Sequence, residues 1–157
     1  MIALATLLLA ITFPSSSKTS WMRPESFHLT IGMDRDATIK TLADRGWDAK
    51  ETDQDDQLVI DYGDDKAVTL QFQRNRLRSI RFELFLFLPE AKVAFEEERT
   101  YLRQSLGAPK KLKSKSVLLY DSMLPNVMVV LNADPKTENG RRGVGVLVVR
   151  YYDPRQR

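Results

Sequence analysis

Apolar and polar residues alternate strictly along three consecutive segments in the first half of the chain. Successive side chains of a β-strand point to opposite faces, so this alternation predicts strands with one buried face. Turn-forming residues separate the segments, first at residues 63–65 and then near Arg74 and Asn75. We therefore predict an antiparallel meander. Its buried positions are Leu58, Ile60, Tyr62, Val68, Leu70, Phe72, Ile80, Phe82 and Leu84.

Two other segments carry apolar residues at helical spacing. The first begins at Asp34 or Asp36, either of which can cap it, and it ends at Gly46, which suits the left-handed position after a helix. The second begins at Pro89, where the missing N–H costs nothing, and ends at Gly107. The charged residues of the second helix are predicted to face solvent. They are Glu96, Glu97, Glu98, Arg99 and Arg103.

Three more strands are predicted in the second half, at residues 116–120, 126–132 and 144–152. The chain then reads helix–β–β–β twice, so the sequence leaves open a duplication with half-repeats at residues 34–85 and 89–153. A further strand is predicted around His28. The fold class that follows is α+β, with a mainly antiparallel sheet of six to seven strands and two principal helices on one face.

The N-terminus is an apolar run over residues 2–13, interrupted only by threonines. A helix of that length spans about 18 Å, too short for a hydrocarbon core of about 30 Å. Pro14 and three serines up to Ser17 follow, an order typical of a signal peptide. We predict a signal peptide at residues 1–17, a single domain at residues 18–157, and a periplasmic or secreted protein without a stable transmembrane span. A buried first element and an uncleaved anchor are the alternatives.

Composition limits the chemistry that the chain can perform. The 157 residues carry a formal net charge of +3 and include no Cys and one His. A disulfide, a thiolate zinc site and a catalytic thiol are excluded, and we predict no metal and no cofactor. So mild a charge implies no nucleic-acid partner. The basic residues around Arg74 also lack the exposed aromatic side chains that single-stranded nucleic acid requires.

The sequence contains no arrangement of residues that predicts a catalytic centre. A Ser-His-acid triad would have to use His28, with Ser26 on the same predicted strand face, but no glycine-framed turn surrounds a serine. Glu96, Glu97 and Glu98 point about 100° apart on a helix, so neighbouring carboxylates do not converge on one bond. We therefore name no catalytic residue, and an enzyme with an unrecognised site stays an alternative.

Apolar residues occupy both faces of several predicted strands, which requires cover on both sides. On the third strand of the meander, Phe85 and Phe87 share a face with Arg81 and Glu83, so this face changes from polar to apolar along the strand. The cover is either the chain's own helix or loops, or a partner or ligand. The candidate partner-binding residues are Phe85, Phe87, Arg141 and Arg142.

A helix opened by Ile31-Gly32-Met33, closed by a glycine and followed by a strand meander resembles the SmpA/OmlA family of outer-membrane assembly modules. When the unit is doubled, it also resembles the β-lactamase-inhibitor-protein fold. The chain has neither the lipid-bearing cysteine of the first nor the disulfide cysteines of the second. The resemblance implies a binding or assembly role outside the cytoplasm, and it transfers no individual functional residue.

The leading functional prediction is a non-enzymatic, exported binding or assembly module whose partner is a protein, with self-association left open. The alternatives are a carrier of an apolar small ligand and an enzyme. A binding module predicts a flat apolar patch or an open sheet edge, a carrier predicts a closed apolar cavity, and an enzyme predicts a pocket of converging titratable groups.

Overall fold

The computed structural model describes residues 17–110, 114–121, 125–134 and 143–155. Its main feature is a seven-stranded antiparallel sheet in the order β1-β2-β3-β4-β7-β6-β5. The elements in chain order are α1 (Arg35–Ala43), β1 (Ala49–Glu51), β2 (Gln57–Asp61), β3 (Lys66–Gln73), β4 (Arg76–Phe87), α2 (Leu88–Leu106), β5 (Val117–Tyr120), β6 (Asn126–Asp134) and β7 (Val144–Tyr152). The predicted α+β class, with an antiparallel sheet and two helices, is confirmed.

The predicted meander forms as β2, β3 and β4, each paired with the next. Its alternating apolar residues are buried on one side of the sheet, where Phe72 is 2% and Phe82 0% exposed. The turn between β3 and β4 contains Arg74 and Asn75 at φ values of 51° and 61°, which suits a tight hairpin turn. The sequence does not predict β1, because its three residues are too few to show an alternation.

Helix α1 begins and ends where the sequence predicts. The Asp34 carboxylate accepts a hydrogen bond from the Asp36 N–H at 3.0 Å, which caps the first turn. Gly46 follows the helix at φ +79°, and the Trp47 N–H donates to the Leu42 carbonyl at 3.0 Å. This closing bond is the Schellman arrangement, and it turns the chain so that Trp47 packs against the core.

Helix α2 also forms as predicted, but two of its residues are oriented differently. Glu98 is 0% exposed, so the prediction that it faces solvent is wrong. It lies four residues after Ala94 and four before Leu102, which places it in the apolar stripe that packs on the sheet. Leu106 follows Leu102 at the helical spacing of that stripe, so its position predicts burial, yet it is 37% exposed at the helix end. Within the described ranges, neither helix is both long enough and apolar enough to cross a membrane.

The strand predicted around His28 does not form. Pro24, whose fixed φ suits the start of a helical turn, opens a short 3-10 helix (Pro24–Phe27). The His28 N–H closes this turn by donating to the Glu25 carbonyl at 3.1 Å. His28 is exposed at φ 55°, and Ser26 lies inside the turn. The expectation that these two residues share a strand face is therefore wrong.

Residues 17–33 pack with the two helices on the same face of the sheet and complete the core. Trp21 stacks on Tyr62 with 5.1 Å between the ring centroids, and Phe27 lies 5.8 Å from the Phe82 ring. Burying one such ring contributes about 1.5–3 kcal/mol to stability. Thr19 is already 1% exposed, so the packed core reaches back at least to that residue.

The strand order is consistent with two related halves. In one half, β2, β3 and β4 approach the centre of the sheet in sequence, and in the other half β5, β6 and β7 do the same. The halves meet at the β4–β7 pair. Two helix–β–β–β units that pair through their last strands would give this order, although β1 has no counterpart among the described strands. The duplication stays a prediction.

Candidate binding surface

The two faces of the sheet differ in what covers them. The helices and residues 17–33 pack on the face that carries Phe82 and Leu147. On the opposite face Phe85, Phe87 and Val144 are 42%, 52% and 49% exposed. We call this second surface the open face. It includes Ala67, Thr69, Gln71, Ser79, Arg81, Glu83, Phe85, Phe87, Met128, Val130, Asn132, Val144, Val146, Val148, Arg150 and Tyr152.

Phe85 and Phe87 form the apolar end of the open face. The register of β4 and β7 sets Phe85 opposite Val146 and Phe87 opposite Val144, and residues directly opposite share a face. The sequence prediction that the face of β4 changes from polar to apolar is thus matched by the strand register. The other two candidates, Arg141 and Arg142, lie outside the described residues.

Two arginines occupy the middle of the open face. Arg81 on β4 and Arg150 on β7 are direct cross-strand partners. Arg81 forms an ion pair with Glu83 at 2.6 Å, and its side chain is 48% exposed. The sequence predicts Arg81 as a polar residue on the same strand face as Phe85 and Phe87, but it gives no prediction for Arg150. The sequence does contain a signal for Arg150, because this charged residue continues the alternation of Val144, Val146 and Val148 on one strand face.

Arg150 is held in a fixed orientation. Its Nε donates a hydrogen bond to Ser79 Oγ at 2.8 Å, and the guanidinium carbon lies 5.4 Å from the centre of the Tyr152 ring. Ser79 itself is 3% exposed, so the hydroxyl belongs to the floor of the surface. The arginines lie in a depression of about 360 Å³. Its lining also includes Gln57, Thr69, Gln71, Met128, Val130, Asn132 and Val148.

An ion pair is buried on the face of the sheet that the helices cover. Glu98 Oε2 accepts a hydrogen bond from Arg23 Nη2 at 2.8 Å, and the side chains are 0% and 11% exposed. Arg23 also donates to the Met22 carbonyl at 2.9 Å and lies 3.9 Å above the Tyr101 ring. This ion pair joins residues 17–33 to α2. The sequence shows only an acidic run at residues 96–98 and does not reveal the pairing.

Burial shifts the pKa values of Glu98 and of Tyr151. Loss of solvation raises the pKa of the Glu98 carboxyl, and the neighbouring Arg23 opposes that rise. The pKa of Tyr151 is raised as well, first by burial and against the effect of Arg23. Its hydroxyl has no hydrogen-bond partner among the described residues. Burial thus disfavours the ionised form of Glu98 and of Tyr151, and the charge of Arg23 partly offsets this for both groups.

A larger depression lies elsewhere, between residues 17–23 and the outer side of α2, and has a volume of about 850 Å³. It is an open groove that contains the exposed side chains of Val93 and Tyr101.

Across the described ranges, no cluster of three or more His, Cys, Asp or Glu residues could hold a metal ion. The open face combines exposed apolar side chains with an oriented arginine on one sheet surface.

Comparisons of the chain with protein-family models, with curated proteins and with solved structures give no match.

Proposed function

We propose that this protein is a non-enzymatic binding or assembly module that uses the open face to hold a partner protein. One observation carries the proposal: Phe85, Phe87 and Val144 remain exposed side by side on a sheet face. Contiguous apolar patches of this kind are uncommon on monomers and usually mark an interaction site. Antiparallel sheets often leave one face wet, but that face is then polar along its whole length.

The proposal includes export. The apolar run at residues 2–13, followed by Pro14 and small residues, supports a signal peptide at residues 1–17 and a periplasmic or secreted domain. The resemblance to outer-membrane assembly modules and to the β-lactamase-inhibitor-protein fold supports the same compartment and the same kind of role. Intact-mass analysis of the protein from its host tests this part. A cytoplasmic protein that retains residues 1–17 would overturn it.

The binding role is tested with the double variant Phe85→Ser/Phe87→Ser. Both side chains are substantially exposed, so we expect a folded protein that loses about 1–2 kcal/mol of stability at most. The matched control is Ile39→Ser/Val93→Ser, which removes apolar side chains that are 38% and 59% exposed on the helices. Circular dichroism melting establishes that both variants fold.

Binding is then measured with the partner that co-purifies with the wild-type protein, after that partner has been identified and purified. Size-exclusion chromatography covers the case in which the partner is a second copy of this chain. We expect Phe85→Ser/Phe87→Ser to abolish the complex and the control to retain it. A folded double variant with an unchanged complex and an unchanged oligomeric state would show that the open face is not the binding surface.

A further inference from the structure

Arg81 and Arg150 face each other across β4 and β7, and Glu83 is the one acidic residue of the described ranges that pairs with either of them. Like charges directly opposite on neighbouring strands destabilise a sheet. Arg81 has its own counter-charge, because it contacts Glu83 at 2.6 Å. For Arg150, the described part of the chain supplies the Ser79 hydroxyl and the Tyr152 ring but no carboxylate. Within the described ranges, the open face thus presents one oriented positive charge that has no carboxylate partner.

The geometry of Arg150 leaves its binding edge free. Its Nε is engaged by Ser79 Oγ at 2.8 Å, whereas the two terminal nitrogens make no hydrogen bond to a described residue. A guanidinium held in this way presents two parallel N–H groups, which match the two oxygens of a carboxylate. The side chain is partly buried, so part of its hydration is already lost before a ligand arrives.

The surroundings of Arg150 favour a protein ligand over a polyanion. Met128, Val130 and Val148 line the same depression, and Phe85 lies further along the open face. Nucleic acids and anionic membranes carry repeated charges that require several basic residues in a row. Among the described residues of the open face, the positive charges are those of Arg81 and Arg150, and apolar side chains border them. A peptide segment with one acidic residue among apolar ones fits this pattern.

We propose that the partner places an Asp or Glu side chain against Arg150, beside Arg81, and packs apolar neighbours on the Phe85–Phe87 end of the open face. This inference rests on the proposed function, since it specifies the chemistry of the partner at the same surface. Hydrogen bonds to charged groups are worth about 1.5–3 kcal/mol, so removal of the acid weakens binding about 10- to 150-fold.

The test selects phage-displayed random dodecapeptides on three immobilised proteins: the wild type, Arg150→Met and Phe85→Ser/Phe87→Ser. We expect the wild type to enrich peptides that combine Asp or Glu with aromatic or aliphatic residues. Arg150→Met should retain the apolar preference and lose the acidic one. Arg103→Met, which removes an exposed arginine from α2, is the matched control and should select the same peptides as the wild type. Circular dichroism checks the fold of each protein.

Affinity measurements on one selected peptide complete the test. Changing its acid to the amide should weaken binding to the wild type about 10- to 150-fold and leave binding to Arg150→Met unchanged. If Arg150→Met fails to fold, Arg150→Lys replaces it, because it keeps the charge and removes the paired N–H groups.

The outcomes separate this inference from the proposed function. Peptides that depend on Phe85 and Phe87 but show no acidic preference would overturn the inference and leave the function standing. Peptides that bind both variants as well as the wild type would overturn both proposals. Tighter binding of a single-stranded oligonucleotide or of phosphatidylglycerol vesicles than of any selected peptide would also overturn the inference.

Discussion

The ion pair between Arg23 and Glu98 holds residues 17–33 on α2. Its removal lowers the free energy of unfolding by an amount that depends on pH. In the variant Arg23→Leu, Glu98 stays 0% exposed without its counter-charge, so the folded protein binds a proton there instead. The ordinary pKa of this carboxyl is 4.5. Keeping it protonated at pH 7 therefore costs about 3.4 kcal/mol, at about 1.36 kcal/mol for each pH unit.

The sign of the pH dependence follows from the direction of the pKa shift. A raised pKa in the folded state means that stability is lost as pH rises above the ordinary value and is recovered as pH falls towards it. The contact of Arg23 with the Tyr101 ring at 3.9 Å adds about 0.5–2 kcal/mol that does not depend on pH. We expect Arg23→Leu to lose about 4–5 kcal/mol at pH 7, less the part of this cost that the raised pKa of Glu98 already imposes on the wild type.

The assay is urea denaturation followed by circular dichroism at pH 7 and pH 5. The reference is Arg23→Leu/Glu98→Gln, which has no titrating group at this position. Relative to it, Arg23→Leu should gain about 2.7 kcal/mol between pH 7 and pH 5. Arg99→Leu is the control for loss of a surface ion pair, because Arg99 and Glu96 are 47% and 61% exposed, and it should cost about 1 kcal/mol or less. An equal difference between the single and double variants at both pH values would refute the reasoning, since the loss would then be one of packing alone.

Three further substitutions test other parts of the fold. Phe82→Ala should cost about 3–5 kcal/mol in denaturant unfolding, because its ring is 0% exposed, whereas Gln71→Ala on the open face should cost about 0.5 kcal/mol. Equal losses would mean that the two faces are wrongly assigned. Gly145→Val should lower stability by about 1–3 kcal/mol, since a Cβ there would lie 2.5 Å from the Cβ of an α2 alanine. An unchanged melting temperature would contradict this close approach of α2 to β7. Hydrogen bonds from Arg155 lower the pKa of Asp153 to about 2, so the wild type should lose stability as pH falls from about 4 to about 2, and Asp153→Asn should lack this loss. Identical acid titrations of the two proteins would count against it.

The sheet could be predicted from the sequence because its signals are local. Each strand of the meander shows its alternation within a few residues, and α1 carries its stop signal at Gly46 next to its last turn. The shared face of Arg81, Glu83, Phe85 and Phe87 could also be anticipated, because residues of one strand two positions apart share a face, whereas the sequence left open whether the chain itself covers the two phenylalanines. Such features need no knowledge of which elements are neighbours in space.

The features that the sequence did not predict depend on distant contacts or on a competing local preference. Glu98 is buried because Arg23, 75 residues earlier, supplies the counter-charge. Arg150 becomes a candidate only when the register sets it opposite Arg81. The strand predicted around His28 does not form for a local reason. Pro24 starts a helical turn, and this turn replaces the extended backbone that a strand requires.

Glu98 and Arg150 interrupt the apolar pattern of their elements in the same way, so the sequence pattern does not distinguish their roles. The residues that each of them contacts do distinguish these roles. Glu98 has its counter-charge within the chain and is 0% exposed, so its ion pair serves to hold residues 17–33 in place. Arg150 faces a second arginine, and the described residues offer it a hydroxyl and a ring. Such a repulsive pair lowers the stability of the sheet. A sheet retains it where the position serves recognition. Arg150→Met should consequently leave the free energy of unfolding unchanged or raise it, whereas a change at Arg23 lowers it.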